Sequence, residues 1–410
     1  MNFKLSSSQL TPQSEERMLN ITGSKSESNR LLLLQALYPN ITLKNISNSD
    51  DSDVMQKAIS SKDKTIDIHH AGTAMRFLTA FFAIQENKEI VLTGSSRMKQ
   101  RPIKILVEAL KQLGAIITYE ENEGFPPIKI KGQKITKNRV SLKADVSSQY
   151  ISALLLIAPK LENGLELTLE GQITSIPYIK MTLALLNDIG VETSFEKNII
   201  IVNSKANIHN SQFTIESDWS SASYFYSIVA LSDIGTQITL SSYKQNSLQG
   251  DSALAEIYKD FGVETVFNEN LITISKFNSQ NLHPTTYNLQ SSPDIAQTIA
   301  VTCFGLGMGC HLTGLHTLKI KETDRLEALK NELSKLGAQI SVTNNSLILE
   351  PSSHIKDNVT IETYQDHRMA MAFAPLALQT NIIINEAEVV SKSFPTFWED
   401  LKSIGFQISE

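Results

Sequence analysis

Basic side chains stand before or at the start of several apolar helices of this chain. A helix N-terminus carries unpaired N–H groups and a partial positive charge, so cations there are unfavourable unless an anion binds between them. The pattern predicts local sites for an anionic ligand such as phosphate. For each loop taken alone, a helix start with solvated charges remains the alternative. The cations concerned are Lys25, Arg30, Arg97, Lys99, Arg101, Lys321, Arg325, Arg368 and Lys392.

Two carboxylates lie among these cations and could transfer protons. Asp294 opens the very apolar segment 295–306, where it is either an ordinary helix N-cap or a general base. Glu322 stands between Lys321 and Arg325, which could hold its carboxyl group, although a surface ion pair is the alternative. Other helix starts offer hydroxyl and amide groups suited to a polyhydroxylated ligand: Ser147, Ser148, Gln149 and Ser175.

A helix–glycine–strand pattern recurs along the chain and indicates the scaffold that positions these loops. Glycine closes a helix in the left-handed conformation without a Cβ clash, so each copy predicts a helix, a left-handed cap and a strand. The copies lie about 70 residues apart, which fits a compact module and predicts about six of them. The first copy, at 51–68, has lost its glycine and is expected to be atypical. The glycines are Gly114, Gly190, Gly262, Gly337 and Gly405.

The composition limits the class of protein. The chain has 410 residues, of which 41% are hydrophobic and 20% charged, as in ordinary globular proteins. Its net charge of −6 argues against nonspecific nucleic-acid binding. Its apolar runs fall short of the roughly 18 residues that a membrane helix needs, and it begins without a signal-peptide pattern, so we expect a cytoplasmic protein. Cys303 and Cys310 lack metal-ligand spacing and are expected to be buried free thiols.

Five motifs in this order resemble the 5-enolpyruvylshikimate-3-phosphate synthase family, nearly from end to end of the chain. The resemblance implies an α/β (α+β) fold of two similar domains, each an inside-out α/β barrel of three βαβαββ repeats, with a cleft between them. The motifs are Gly23-Ser24-Lys25-Ser26 with Asn29-Arg30, Ala71-Gly72-Thr73-Ala74-Met75-Arg76, Arg97-Met98-Lys99-Gln100-Arg101-Pro102, Lys321-Glu322-Thr323-Asp324-Arg325-Leu326 and Asp366-His367-Arg368-Met369-Ala370-Met371.

The resemblance also implies a domain division. One discontinuous domain, 1–22 plus 217–410, would carry the general acid and base and residues for phosphoenolpyruvate. The other, 23–216, would carry most residues for shikimate 3-phosphate. The two chain crossings would be hinges. The family further implies a monomer that acts on small molecules and needs no metal, organic cofactor, nucleic acid or membrane.

The implied reaction transfers the enolpyruvyl group of phosphoenolpyruvate to the 5-hydroxyl of shikimate 3-phosphate and releases phosphate. The hydroxyl must lose a proton while a carbon gains one, and the family pattern assigns these roles to Asp294 and Glu322, with Lys25 stabilising developing charge. Shikimate 3-phosphate would contact Lys25, Ser26, Arg30, Ser147, Ser148, Gln149, Ser175, Asp294 and Lys321. Phosphoenolpyruvate would contact Lys25, Gly72, Arg101, Gln149, Arg325, Arg368 and Lys392.

Three positions depart from the family pattern. His70 stands where asparagine is usual, Phe77 where proline is usual, and Thr317 where asparagine is usual. The first two flank the implied phosphoenolpyruvate pocket, so glyphosate, which competes with phosphoenolpyruvate in this family, is expected to inhibit this protein differently. Thr317 is expected to weaken or replace one substrate hydrogen bond.

Two other functions remain as alternatives. An enolpyruvyl transferase acting on UDP-N-acetylglucosamine would share the fold, but that group generally uses a cysteine in a mobile loop, where this chain has 97–102. A noncatalytic anion-binding homologue would keep the cations. Asp294 and Glu322 argue against it, because carboxylates raise the electrostatic free energy of binding an anion.

Overall fold

The structure is a computed structural model that describes residues 1–6, 17–144, 147–171, 173, 176–204, 211–277 and 283–410. It divides into two compact units. Unit 1 comprises Met1–Gly23 and Glu216–Glu410, and unit 2 comprises Ser24–Ile215. The domain boundaries implied by the resemblance, after 22 and after 216, lie one residue from these two crossings.

The described residues form twelve α-helices, six in each unit. They are α1 (Lys25–Leu37), α2 (Asp50–Ser60), α3 (Gly72–Ala83), α4 (Lys104–Leu113), α5 (Ser148–Ile157), α6 (Ile176–Asp188), α7 (Trp219–Leu231), α8 (Leu254–Ile257), α9 (Ala296–Gly305), α10 (Arg325–Leu336), α11 (His367–Phe373) and α12 (Phe397–Ser403).

The strands are short, as expected for the sheet of a small repeated module. They are β1 (Phe3–Ser6), β2 (Met18–Leu19), β3 (Ile41–Lys44), β4 (Thr65–Asp67), β5 (Glu89–Thr93), β6 (Ile116–Tyr119), β7 (Ile128–Lys131), β8 (Arg139–Lys143), β9 (Leu165–Glu170), β10 (Thr193–Glu196), β11 (Ile199–Val202), β12 (Ser211–Thr214), β13 (Gln237–Ser241), β14 (Val263–Asn268), β15 (Leu271–Lys276), β16 (Thr285–Asn288), β17 (Cys310–Thr313), β18 (Ile340–Val342), β19 (Ser346–Leu349), β20 (Val359–Ile361), β21 (Ile382–Ile384) and β22 (Gln407–Ser409).

Five four-stranded sheets share one pairing pattern, which confirms the repeat. In the first, β4 runs parallel to β5, β5 is antiparallel to β7, and β7 pairs with β6 as a hairpin. With α3 and α4 between the strands, this is one βαβαββ module. The same pattern gives the order β8-β9-β11-β10 in unit 2, and β2-β13-β15-β14, β16-β17-β19-β18 and β20-β21-β1-β22 in unit 1.

The first repeat is atypical, as the missing glycine predicted. Its strand β3 pairs in parallel with β12 in a two-stranded sheet. Helix α2 ends at Ser60, and the next residue, Ser61, is extended with φ −64° instead of left-handed. The following strand, β4, pairs with β5 of the second module, so the described residues contain no hairpin for the first copy.

The five glycines of the repeat all have positive φ, from 76° at Gly262 to 116° at Gly405. The predicted left-handed caps are therefore confirmed. Gly114 and Gly337, for example, end α4 and α10, and each cap N–H donates to a carbonyl of the last helical turn. Because each helix ends abruptly, the chain can turn directly into the hairpin of its module.

Each unit has its own hydrophobic core. Helices α3 and α7 are buried along their whole length, which explains why their sequences are apolar on every side. Within unit 2, α3 packs against α5 and α1; within unit 1, α9 packs against α7 and α11. Cys303 and Cys310 are buried free thiols, as predicted. None of the described helices is long and apolar enough to cross a membrane.

Candidate active site

Arg325 is the centre of a charged cluster in unit 1. It is the first residue of α10, where Asp324 caps the helix, and it is 2% exposed. Its Nε donates to Asp366 Oδ2 at 2.6 Å and its Nη2 to Asp366 Oδ1 at 3.3 Å. Nη1 donates to Asp294 Oδ1 at 2.8 Å, and Nη2 to Glu322 Oε2 at 2.8 Å. One guanidinium therefore holds three carboxylates, and the planar fork of arginine makes this possible.

Asp294 lies on a short 3₁₀ turn, 293–295, just before α9. It does not cap that helix: its carboxylate meets Arg325, Lys321 Nζ at 3.3 Å and Arg368 Nη2 at 3.4 Å. The N-cap alternative is therefore wrong. Burial acts to raise the pKa of Asp294, but the charges of Lys321, Arg368 and Arg325 together outweigh it and hold that pKa well below its usual range.

Glu322 is held differently from the expected arrangement between two cations. Its carboxylate pairs with Arg325, three residues along the chain. The other expected partner, Lys321, directs its ammonium group to Asp294 instead. The side chain of Glu322 is 24% exposed, whereas that of Asp366 is completely buried. Of the three carboxylates on Arg325, Glu322 is thus the most accessible to a ligand.

Arg368 extends the cluster to the start of α7. Its Nη2 donates to Ser220 Oγ at 3.1 Å, and Ser220 donates in turn to Asp251 Oδ2. Burial, and secondly the negative charge of Asp294, raise the pKa of Asp251 to about 6. Arg368 itself is placed by Asp366, which caps α11 and accepts from the Arg368 N–H at 2.9 Å. The first turns of α7, α9, α10 and α11 thus meet at one group of charges.

Lys392, the last cation predicted in unit 1, lies on the segment 387–392. Its Nζ donates to the carbonyl of Gln365 at 2.7 Å, one residue before Asp366. The structure therefore brings together the predicted unit 1 residues Asp294, Lys321, Glu322, Arg325 and Arg368, and it links Lys392 to the loop that carries Arg368.

Unit 2 places its predicted cations on two elements. Helix α1 begins at Lys25 with Ser24 as its N-cap, ahead of its apolar run at 31–37. Lys25 Nζ lies 3.4 Å from Asp51 Oδ2 on α2. Arg30 is 2% exposed, and the N–H groups of its guanidinium donate to Thr182, Ser152 and the carbonyls of Ser26 and Tyr178.

These contacts limit what Arg30 can bind. A guanidinium has five N–H groups, and four of them are engaged within the described part of unit 2. Burial lowers the pKa of Arg30 to about 10, so the group stays charged at neutral pH. Arg30 can therefore offer a ligand one further N–H and a nearby positive charge, but not the two parallel N–H groups that a bidentate contact needs.

Arg101 lies directly over the first turn of α3. A Cβ atom at Gly72 would stand 2.6 Å from Arg101 Nη1, so the guanidinium can approach only because residue 72 is glycine. Buried Arg76 holds the loop beneath, since its Nη2 donates to the carbonyl of Pro102 at 3.0 Å, as the hydroxyl of Tyr150 does at 2.6 Å. Pro102 precedes the helix, because α4 begins at Lys104 with Ile103 as its N-cap.

The polar residues at the start of α5 face α3. Ser147 caps α5, accepting from the N–H of Gln149 at 3.3 Å, and Ser148 is nearly buried. Gln149 Nε2 donates to Thr73 Oγ1 at 3.2 Å. The first turns of α3 and α5 thus place a glutamine amide, hydroxyl groups and Arg101 in one region of unit 2. Ser175 lies outside the described residues.

Comparison with known proteins decides the family. A model of the EPSP synthase (3-phosphoshikimate 1-carboxyvinyltransferase) family matches residues 51–401. The chain is 46% identical over 401 residues to a 3-phosphoshikimate 1-carboxyvinyltransferase of Bacteroides fragilis (strain YCH46), with 97% of each chain covered. The chain belongs to the EPSP synthase family. A Haemophilus influenzae relative of the same name is 36% identical over 423 residues, covering 95% of this chain and 96% of that one.

Solved structures agree on the fold. An EPSP synthase from Acinetobacter baumannii superposes with a TM-score of 0.80 at 21% identity, covering 100% of both chains. The enolpyruvyl transferase NikO from Streptomyces tendae gives 0.73 at 12% identity, covering 100% of this chain and 98% of that one. The resemblance found in the motifs is thus confirmed, together with the two-domain inside-out α/β fold of the EPSP synthase family.

The three departures from the EPSP synthase pattern have distinct surroundings. His70 Nε2 lies 3.8 Å from Asp50 Oδ2. Phe77 is fully buried, and the Arg30 guanidinium lies 5.4 Å from the centre of its ring, a cation–π contact. Thr317 is 8% exposed, and its hydroxyl has no hydrogen-bond partner among the described residues.

The structure adds residues that the motifs did not single out as functional. Asp366 was quoted only as part of a motif, and Ser220 and Asp251 were not singled out at all. Asp366 contacts Arg325, Ser220 contacts Arg368, and Asp251 accepts from Ser220, so each meets its partner from a distant part of the chain. A weak signal was present for Ser220, because Asp218 caps α7 two residues earlier and marks another polar helix start. Within the described ranges, no group of three or more His, Cys, Asp or Glu side chains is placed to hold a metal ion.

Proposed function

We propose that this protein transfers the enolpyruvyl group of phosphoenolpyruvate to the 5-hydroxyl of shikimate 3-phosphate and releases inorganic phosphate, as a transferase of the shikimate pathway to aromatic amino acids. One observation carries the proposal: Asp294 and Glu322 lie in one cluster with Lys321, Arg325 and Arg368. A pure anion binder has no use for carboxylates there, whereas proton transfer between two anionic substrates needs them. The names of relatives up to 46% identical support it.

The addition step needs two proton transfers, and the elimination that follows breaks one carbon–oxygen bond and removes one proton from carbon. Asp294 takes the proton of the 5-hydroxyl as its oxygen bonds to the central carbon of phosphoenolpyruvate, and Glu322 gives a proton to the methylene carbon. In the tetrahedral intermediate the bond between the central carbon and the phosphate oxygen then breaks, and the phosphate leaves with the proton taken up by Asp294. A proton of the methyl group returns to the Glu322 carboxylate as the double bond is restored. Lys25 stabilises the charge that develops.

The cations bind the substrates. Arg325, Arg368 and Lys392 in unit 1, with Gly72, Arg101 and Gln149 in unit 2, contact phosphoenolpyruvate, and Lys25 contacts both substrates. Arginine forks suit the carboxylate and phosphate groups of this ligand. Shikimate 3-phosphate is held by Ser26, Arg30, Ser147, Ser148, Gln149, Ser175, Asp294 and Lys321. Arg30, with four N–H groups already engaged, contributes chiefly charge to this set.

Phosphate release tests the function. The purified protein is given phosphoenolpyruvate and shikimate 3-phosphate together, each alone, and phosphoenolpyruvate with UDP-N-acetylglucosamine. Release only with the first pair supports the proposal. Release with UDP-N-acetylglucosamine would assign the aminosugar transferase instead, and ligand binding without release would assign a noncatalytic homologue.

A monomer in the cytoplasm belongs to the same proposal. Light scattering during size-exclusion chromatography gives the mass in solution, to be compared with 45.5 kDa for one chain. A mass near twice that value would replace the monomer by a dimer without affecting the catalytic proposal.

A further inference from the structure

The turn just before Asp366 has an unusual backbone. Tyr364 and Gln365 both have positive φ, 54° and 55°. Residues other than glycine are held in this region at a cost of about 1–3 kcal/mol each, and such strain persists only where the surroundings enforce it. The turn leads directly into Asp366, which contacts Arg325, and into Arg368. The surroundings of this turn must therefore enforce its conformation.

A buried carboxylate holds the turn. Glu332 on α10 is 0% exposed. Its Oε1 accepts from the hydroxyl of Tyr364 at 2.7 Å, and its Oε2 accepts from the N–H of Glu362 at 3.0 Å. Burial, and secondarily the hydrogen bond to Glu332, raise the pKa of Tyr364 to about 12, so its hydroxyl remains a donor at neutral pH.

Helix α10 contacts the loop that contains the 364–365 turn at two points. Glu332 follows Arg325 by seven residues, which is two helical turns, so both lie on one face of the helix. Arg325 binds Asp366 after the turn, and Glu332 binds Tyr364 within it. The carbonyl of Gln365, also in the turn, accepts from Lys392. The turn thus connects three cations of the proposed phosphoenolpyruvate site.

We propose that Glu332, acting through the Tyr364 hydroxyl, is a positioning residue that fixes the turn at 364–365 and thereby sets Arg325, Arg368 and Lys392 for phosphoenolpyruvate. The inference rests on the proposed function for its choice of ligand. Neither residue is among the substrate-contacting residues of the proposed function, and neither belongs to the motifs that marked the family. Glu332 lies among the buried apolar positions of α10, and a carboxylate is seldom fully buried unless it is paired.

The competing explanation is that Glu332 only stabilises the fold. It also pairs with Lys335 Nζ at 2.7 Å on the outer side of α10, where the lysine side chain is 41% exposed. A merely structural role changes the free energy of unfolding and the yield of folded protein, but it changes the KM values of both substrates little. A positioning role raises the KM of one substrate selectively.

Tyr364→Phe is the sharpest variant, because it removes one hydroxyl and keeps the ring. We expect the KM for phosphoenolpyruvate to rise about tenfold, as for a lost hydrogen bond to a charged group, with the KM for shikimate 3-phosphate unchanged and kcat reduced less than about threefold. Glu332→Gln keeps an amide oxygen for the Tyr364 hydroxyl. It is expected to be less impaired than Glu332→Ala, which keeps no acceptor.

Two matched controls separate the explanations. Lys335→Met removes the other side-chain partner of Glu332 and leaves the Tyr364 hydrogen bond in place. Tyr287→Phe removes the same atom elsewhere in unit 1, where the hydroxyl donates to Asp260. Both are expected to leave the KM for phosphoenolpyruvate unchanged. A rise in Lys335→Met equal to that in Tyr364→Phe would overturn the proposal.

Hydrogen exchange gives a readout without any substrate. In the ligand-free protein, the N–H of Asp366 donates to the Thr363 carbonyl and that of Arg368 to the Asp366 carboxylate. Tyr364→Phe should speed deuterium uptake of the peptide 363–368 at least severalfold, and Lys335→Met should not. Unchanged uptake together with an unchanged KM would refute the positioning role. If the wild-type protein releases no phosphate, the proposed function fails, while the exchange result still decides whether Glu332 and Tyr364 hold the turn.

Discussion

Replacing Arg325 by lysine tests whether one guanidinium organises the cluster in unit 1. The substitution keeps a positive charge but removes the planar fork that donates to Asp366, Asp294 and Glu322 at once. A lysine ammonium in the same space can reach one or two of these carboxylates. At least one carboxylate, with a side chain between 0% and 24% exposed, loses its contact with residue 325; of the three, Asp294 still has Lys321 and Arg368 beside it.

The expected loss is large because the site is buried. Leaving a buried charge without its partner destabilises a protein by about 3–5 kcal/mol, and this is the expected decrease in the unfolding free energy at pH 8. Urea denaturation followed by tryptophan fluorescence measures the unfolding free energy of unit 1. The two tryptophans of the chain, Trp219 and Trp398, both lie in unit 1 and are nearly fully buried, so the signal reports that unit.

The loss should depend on pH in a defined direction. In the wild-type protein, the depressed pKa of Asp294 contributes stability that is present above the unfolded value of 3.8 and lost as pH falls through the folded pKa. In the variant, a buried carboxylate that has lost its contact with Arg325 takes up a proton more readily. At low pH this protonation removes the free-energy penalty of burying an unpaired charge. The difference between the two proteins should therefore shrink from pH 8 to pH 4.

A surface variant on the same helix is the control. Lys330 pairs with Glu327 at 3.5 Å, and both side chains are more than 40% exposed. Lys330→Met should change the unfolding free energy little at any pH, since exposed pairs contribute little. A loss below about 1 kcal/mol in Arg325→Lys at pH 8, or a loss independent of pH, would show that Arg325 does not hold these carboxylates in the way the distances indicate.

Three further predictions concern the site. Gly72→Ala places a Cβ 2.6 Å from Arg101 Nη1 and should raise the KM for phosphoenolpyruvate about tenfold in the phosphate-release assay. The control is Gly305→Ala, whose Cβ meets a leucine side chain at 2.7 Å; it should lower thermal stability and leave that KM unchanged. Asp294→Asn and Glu322→Gln should each lower kcat at least a hundredfold while calorimetry shows smaller losses in substrate binding; equal losses in both would contradict their proton-transfer roles. The pKa of Asp251 is raised to about 6, so its carboxyl group destabilises the folded state as pH rises from 3.8 through 6. Asp251→Asn should therefore gain unfolding free energy relative to wild type between pH 4 and pH 7 in urea titrations. A difference between the two proteins that stays constant with pH would argue against the raised pKa.

The sequence predicted features that are encoded locally. Each glycine cap needs only its own helix and strand, and all five glycines have positive φ in the structure. The basic helix starts are likewise local, and the structure brings those of unit 1 together around Asp294. The residues at which helices begin were less predictable. The apolar run of α1 begins only at Leu31, but Ser24 caps the helix well before it, because a capping hydroxyl can begin a helix ahead of its apolar face.

Contacts between distant segments could not be predicted in the same way. Ser220 meets Arg368 from 148 residues away and donates to Asp251, and no periodicity marks such contacts. Glu332 was hidden for a different reason: on a helix that also carries exposed glutamates, one buried glutamate looks like the others until the neighbouring loop is placed. In both cases a polar side chain matters through the partner that the fold supplies.

The electrostatics of Asp294 link binding to catalysis. In the ligand-free protein, Lys321, Arg368 and Arg325 keep the pKa of Asp294 so low that its carboxylate is a weak base. A base that must remove a hydroxyl proton works better with a pKa nearer the operating pH. Under the proposed function, the phosphate and carboxylate of phosphoenolpyruvate bring negative charge to two of these same cations, and like charge nearby raises the pKa of a carboxyl group.

The substrate thus strengthens the base that the cations had weakened. A unit charge about 4 Å away contributes up to about 4 kcal/mol at an effective dielectric constant near 20, which corresponds to a pKa change of about three. An increase of that size moves the pKa of Asp294 back toward the range of an ordinary aspartate. Under the proposed function, packing the carboxylates among the cations keeps the ligand-free cluster neutralised, and Asp294 becomes a stronger base only when the anionic substrate is bound.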